Sequence, residues 1–180
     1  MIYLDYSATT FVDKKVLKNL NKNAKLCGAN PNSKHDLGLK AKSLIDKSTS
    51  NICNYLNIKD NEIIYTSGSS ESNNTILKGI VEEYNIKKII TTRLEHSSIN
   101  GPINFLSKNG INVEFCELNN GVIDINKLNS MIENVPTLVS ICAVDSEVGI
   151  KQPIEEIGET LKVQNNVIFH SDITQAIGKV

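Results

Sequence analysis

Along residues 14–26 the apolar positions Val16, Leu17, Leu20 and Ala24 form one stripe, the spacing of an amphipathic helix. Leu37, Ala41, Ile45, Ile52 and Leu56 keep a near four-residue spacing, with Ser48 filling the gap, and predict a longer helix over roughly 34–56. Asn30-Pro31-Asn32-Ser33 ahead of it predicts a turn, with Ser33 as the helix cap. Then the rhythm changes. Short β-rich runs at Ile63-Ile64-Tyr65, Ile89-Ile90-Thr91, Val113-Glu114-Phe115-Cys116, Leu138-Val139-Ser140-Ile141 and Val167-Ile168-Phe169 alternate with helical patterns near 71–84, 97–109, 124–133 and 153–163. Five strands separated by helices predict an α/β fold with a mostly parallel sheet and helices on both faces. A last helix is expected from Thr174.

Composition narrows the class. The 180 residues are 40% hydrophobic, enough for a core, and the net charge of −1 supplies no field for nucleic acid or an anionic membrane. No apolar run reaches eighteen residues, and Met1-Ile2-Tyr3-Leu4 meets Asp5 at once, so neither a spanning helix nor a signal peptide is read and a cytoplasmic protein is expected. Cys27, Cys53, Cys116 and Cys142 form no CxxC pair. Three of them lie in apolar patterns, which favours buried thiols over a disulfide or metal site.

Chemistry in such a sheet gathers in the loops after the strands. The first is Thr66-Ser67-Gly68-Ser69-Ser70-Glu71-Ser72-Asn73. Its serines sit at a helix start, where hydroxyls, free N–H groups and the dipole suit a phosphate, and where they serve equally well as caps. The second loop carries Glu95-His96; a lone histidine there is more often structural. The fourth, Val144-Asp145-Ser146-Glu147-Val148-Gly149, reads as an acidic, solvated turn. The fifth strand ends in His170-Ser171-Asp172, with Thr174 and Gln175 following. A carboxylate at the end of an apolar strand needs a partner, such as a protonated ring nitrogen, unless it caps the next helix.

Taken together, Tyr3-Leu4-Asp5-Tyr6-Ser7-Ala8-Thr9-Thr10, Asn30-Pro31-Asn32-Ser33-Lys34-His35, the Thr66–Asn73 loop, Glu95-His96, Glu147-Val148-Gly149 and His170–Gln175 resemble the NifS/IscS-type cysteine desulfurases of the class V aminotransferase group, in order and from residue 1 to residue 180. The resemblance implies the large domain of a fold-type I pyridoxal 5'-phosphate enzyme. It implies that Ser69 and Ser70 hold the cofactor phosphate, that His96 stacks on the ring and moves protons, and that Asp172 pairs with the ring nitrogen. Gln175 would bond the phenolic oxygen. Ala8 and Thr9 would line the substrate entrance as part of an N-terminal segment, residues 1–13, ahead of a partial cofactor-binding domain over 14–180. It further implies L-cysteine as substrate, a protein sulfur acceptor or scaffold as partner, alanine as product, and a homodimer in the full-length form. No metal, nucleic acid or membrane enters.

Two departures qualify the resemblance. Asp145 and Ser146 stand where the family usually has two asparagines, and Ser146 offers a weaker hold on cofactor and substrate than an amide. The family chain also continues past Gln175 to a Ser-x-His-Lys segment with the Schiff-base lysine, an arginine for the substrate carboxylate, the persulfide cysteine loop and a small C-terminal domain. None of these occurs in the 180 residues, where Lys179 occupies the place of a structural lysine. The large-domain sheet is therefore expected to lack two strands, leaving Glu62–Thr66 without neighbours, and the chain alone is expected to be inactive. Alternatives are another class V enzyme, such as a selenocysteine lyase or an aminotransferase, and a non-catalytic remnant that binds a partner chain.

Overall fold

A computed structural model describes residues 1–58 and 63–180. They fall into two compact units, Met1–Tyr65 and Thr66–Val180.

The first unit holds α1 (Lys14–Leu26) and α2 (Asp36–Leu56). Asp13 caps α1 by accepting from the Lys15 N–H. The cap of α2 is His35 and not Ser33: the imidazole Nδ1 accepts from the Gly38 N–H at 3.3 Å. Ser33 is held instead inside the turn, its N–H donating to the Asn30 carbonyl at 3.0 Å. α2 ends on Asn57 in the left-handed conformation (φ +52°), a cap that asparagine tolerates better than most residues. Both helices leave most of their apolar stripe uncovered within this unit. α1 has no buried residue, and in α2 only Gly38 and Ala41 are buried.

The second unit carries α3 (Ser69–Glu83), β1 (Lys88–Thr91), α4 (Ser97–Lys108), β2 (Asn112–Phe115), β3 (Leu118–Asn119) and β4 (Val122–Ile123). α5 (Ile125–Ser130), β5 (Thr137–Ser140), α6 (Ile154–Leu161) and β6 (Val167–His170) complete it. The main sheet is parallel throughout, in the order β2-β1-β5-β6. Its register explains the two-sided core. Ile89, Leu138 and Ile168 lie side by side and pack with Leu77, Ile99, Ile103 and Leu106 of α3 and α4. One residue on, Ile90, Val139 and Phe169 face the other way, toward Leu128, Ile157 and Leu161 of α5 and α6. Successive strand side chains point to opposite faces, so apolar pairs are required where both faces are covered. Lys88, 2% exposed, is tolerated because its ammonium meets the Met131 carbonyl, Glu133 and Glu114 at 2.8, 2.5 and 3.0 Å.

Two further expectations are corrected. Residues 63–66 form no strand, while Glu62 lies outside the described residues. No described strand pairs with 63–66, and a strand without a ladder has nothing to satisfy its backbone. The chain after Asp172 makes two consecutive turns and not a helix, with Ala176 and Ile177 N–H groups on the Ile173 carbonyl. A β3–β4 hairpin was not anticipated; it turns through Asn120 and Gly121, both at positive φ (+51° and +82°), the conformation that an Asn-Gly pair suits. Among the described residues no helix is long and apolar enough to cross a membrane.

Candidate functional site

The strand order puts the C-terminal ends of β1, β5 and β6 side by side, and the polar groups singled out in the sequence lie in the loops there. Asp172 is two residues beyond β6. Its carbonyl accepts from the Ala143 N–H at 2.9 Å, extending the β5–β6 pairing past the strand ends. Its Oδ1 accepts from the Thr174 N–H (2.9 Å) and hydroxyl (2.6 Å), and its Oδ2 from the Asn73 amide (2.8 Å). Burial pushes this carboxyl up, but the Thr174 and Asn73 hydrogen bonds and the charge of His170 outweigh it and hold it below the usual aspartate range. Asp172 is thus ionised and already braced on both oxygens.

Asn73 lies on the first turns of α3 and is 3% exposed. Its second amide hydrogen goes to the Ser98 hydroxyl at 2.9 Å. That hydroxyl stands 2.9 Å from His96 Nδ1, which also accepts from the Ser98 N–H at 3.2 Å as the cap of α4. With Nδ1 accepting twice, the neutral tautomer carries its proton on Nε2. The chain Asp172–Asn73–Ser98–His96 is therefore continuous, and the His96 ring is exposed at its end. His96 and Asp172 were both anticipated. The two residues that join them were not, although Asn73 stands inside a motif singled out for its serines.

The serine loop is braced from within. The Ser67 N–H and hydroxyl donate to Glu71 at 2.7 and 2.6 Å, and the Thr66 and Ser72 hydroxyls are 2.8 Å apart. α3 itself begins at Ser69 with no side-chain cap. The Gly68 carbonyl accepts from the Glu71 and Ser72 N–H groups, both at 3.1 Å, and no side chain caps the turn before them, with Ser69 half-buried and Ser70 exposed there. Gln175 lies in the turns after Asp172, where its side-chain Oε1 accepts from the Lys179 ammonium at 2.9 Å.

The 145–149 turn departs from the solvated reading. Asp145 is 4% exposed, and its carboxylate accepts from the Glu147 and Val148 N–H groups at 3.1 and 2.6 Å. It serves its own turn. Ser146 is half-buried beside it. Ala8 and Thr9 are exposed in the first unit, in a segment curled around Tyr3, whose hydroxyl meets the Asp5 and Thr9 carbonyls at 2.8 and 3.0 Å.

Three buried groups lie beyond these contacts. His170, 8% exposed, has Nδ1 3.0 Å from the Ser140 hydroxyl; burial lowers its pKa, against the pull of Asp172. The Cys142 thiol is pushed up strongly by burial and by Glu95, Asp145 and Asp172. Cys116 is likewise buried and raised by burial. Neither is a ready nucleophile.

Comparison with known proteins shows the family. The Aminotransferase class-V family matches residues 2–180. The chain is 37% identical to cysteine desulfurase IscS of Rickettsia prowazekii over 183 residues, covering 99% of this chain and 44% of the relative, and equally to that of Rickettsia typhi. Among solved structures a NifS-like protein superposes with a TM-score of 0.90 at 32% identity, over 95% of this chain and 48% of the other. The NifS-like protein of Rickettsia africae gives 0.85 at 33% identity, over 100% and 49%. The chain spans about half the length of these relatives.

Proposed function

Because the chain belongs to the aminotransferase class-V family, we propose that it is the cofactor-binding portion of a pyridoxal-phosphate-dependent cysteine desulfurase. The observation that carries the proposal is the braced, ionised Asp172, joined through Asn73 and Ser98 to the exposed ring of His96.

These residues suit the cofactor. Asp172 supplies a fixed negative charge for a protonated ring nitrogen. His96 presents a planar face, with its Nε2 free to hold or pass a proton. The uncapped start of α3, with Ser69 and Ser70, offers N–H groups and hydroxyls to a phosphate. In this reading Gln175 would bond a ring oxygen, Ser146 would offer a shorter and weaker hand, and Ala8 and Thr9 would line the substrate entrance. Bound there, the cofactor supplies an electron sink for breaking bonds to the substrate's α-carbon. The same reading takes L-cysteine as substrate, a protein as sulfur acceptor, a homodimer in the longer form and a cytoplasmic setting. The 180 residues contain no Ser-x-His-Lys segment, so on their own they are proposed to bind the cofactor weakly and to be inactive.

Pyridoxal phosphate titrated into the 180-residue chain, followed by absorbance, is expected to give a weak saturable change that Asp172→Ala abolishes. Borohydride trapping should label no lysine stoichiometrically, Lys179 included. If the reading frame continues beyond Val180 into Ser-x-His-Lys and a cysteine loop, the longer product should form alanine and sulfane sulfur from L-cysteine. A cofactor site absent from both lengths overturns the reading.

A further inference from the structure

Glu95 precedes His96 and is 5% exposed. Its Oε1 accepts from the Thr92 hydroxyl at 2.8 Å and from the Cys142 N–H at 3.0 Å. One bond closes its own loop, and the other crosses to the chain just beyond β5, 47 residues away. The Glu95 carbonyl accepts from the Asn100 amide at 2.5 Å, tying the same residue to the first turn of α4. Three elements thus meet at the residue before His96.

Its other oxygen, Oε2, is fully buried and has no partner. An unpaired oxygen in that position is costly when neutral and far costlier when charged. Of the groups facing it, the Cys142 thiol favours a charge and Asp172 opposes it. Cys142 comes from the end of β5, its thiol itself raised by Glu95, Asp145 and Asp172. From the end of β6 comes Asp172, already ionised, with His170, its pKa lowered by burial, behind it.

We infer that Glu95 holds a proton in the folded chain and, in that form, is the positioning residue for His96, tethering the loop that carries the imidazole to the end of β5. A proton there lets Oε1 keep both donors without placing a second negative charge beside Asp172. Burial, the largest influence, raises this carboxyl to about 7, with Asp172 adding to the rise and the Cys142 and Thr92 bonds opposing it. The purpose of fixing His96 rests on the cofactor reading above; the proton and the tether do not.

The test uses the cofactor-free 180-residue chain with glutamate side-chain carboxyls labelled with carbon-13, the Glu95 signal being assigned by its loss in Glu95→Gln. Its titration midpoint should stand at least roughly one pH unit above those of the exposed glutamates. Glu95→Gln keeps an acceptor and a neutral donor, so the His96 ring resonances should stay in place, whereas Glu95→Ala should displace them. If Glu95→Ala does not fold, Thr92→Val replaces it: loss of one donor to Oε1 should move the Glu95 midpoint upward and shift His96. A Glu95 midpoint among the exposed glutamates overturns the inference. So does a folded Glu95→Ala or Thr92→Val that leaves His96 unmoved. A raised midpoint and a displaced His96, with no pyridoxal phosphate bound by either the 180-residue chain or its longer product, keep the tether and remove the cofactor reading.

Discussion

Asn73 and Asp172 are 99 residues apart in the chain, and the amide of one stands 2.8 Å from the carboxylate of the other. The bond joins α3 to the end of β6, and the second amide hydrogen continues to Ser98. No other side-chain type of this size offers two hydrogens in that geometry.

Asn73→Ala should therefore act at both ends. It leaves a half-buried carboxylate and a buried hydroxyl short of a donor, at a cost of about 1–3 kcal/mol in urea unfolding. The Asp172 carboxyl should also rise, since one of the bonds holding it down is gone. Asn73→Asp should cost more at neutral pH than at pH 4, because it sets a second negative charge against Asp172. A pH-independent loss for Asn73→Asp would mean that Asp172 is not ionised in the fold.

The sheet was legible because its strands are buried on both faces and must be apolar without interruption, as Ile89-Ile90 and Leu138-Val139 are. The spans of α1 and α4 match the helical patterns read over 14–26 and 97–109. The polar joints were less so. His35 and His96 cap helices through Nδ1, a role better known for serine and aspartate, so sequence reading assigned the first cap to Ser33. Asn73, Ser98 and Glu95 work across long separations, and nothing local marks them. The hairpin at Asn120-Gly121 had a local signal that was passed over, because two-residue strands leave no periodicity to see. Residues 63–66 carry a strand's composition, but a strand exists only with its neighbour.

Gly38 lies in the first helical turn of α2, against the Asn30–Ser33 turn. A Cβ there would run into the Ser33 carbonyl oxygen and come within 2.8 Å of Ser33 Cβ and 2.9 Å of the Asn30 carbonyl oxygen. These are backbone and near-backbone atoms and cannot swing aside. Gly38→Ala should gain up to about 1 kcal/mol of helix propensity and lose about 1–3 kcal/mol to overpacking. The expected net result is a destabilised first unit with faster amide exchange at 36–42. A variant more stable than the parent would show that the turn yields.

His170 and Glu95 oppose each other in acid. His170 has a folded pKa below its ordinary 6.5, so its contribution is present above 6.5 and is lost as pH falls through the lower folded value. Glu95 has a folded pKa of about 7 against an ordinary 4.5, so ionisation penalises the fold above 7 and the penalty is relieved as pH falls toward 4.5. That relief is worth at most roughly 3 kcal/mol. Urea midpoints from pH 8 to pH 4.5 should therefore fall more steeply for Glu95→Gln than for the parent, and less steeply for His170→Gln. Parallel profiles for all three chains would remove both assignments.

β6 is bonded to β5 along one side, and no described strand takes its other side, while Val167, Ile168 and Phe169 remain half-buried. Residues 63–66 form no strand and no described strand pairs with them, with Ile64 73% and Tyr65 57% exposed. Unpaired N–H and C=O groups beside exposed apolar side chains are a template for another chain. The 180-residue chain should accordingly associate as its concentration rises, seen as an earlier and broader elution in size exclusion. Amide exchange should be fast across 63–66 and slow in β1 and β5, which are paired on both sides. Ile64→Lys should weaken the association if 63–66 take part in it, and leave it unchanged if the β6 edge alone is responsible. A monomer at all concentrations with slow exchange across 63–66 would mean that these residues find a ladder in solution, and the open-edge account would fail.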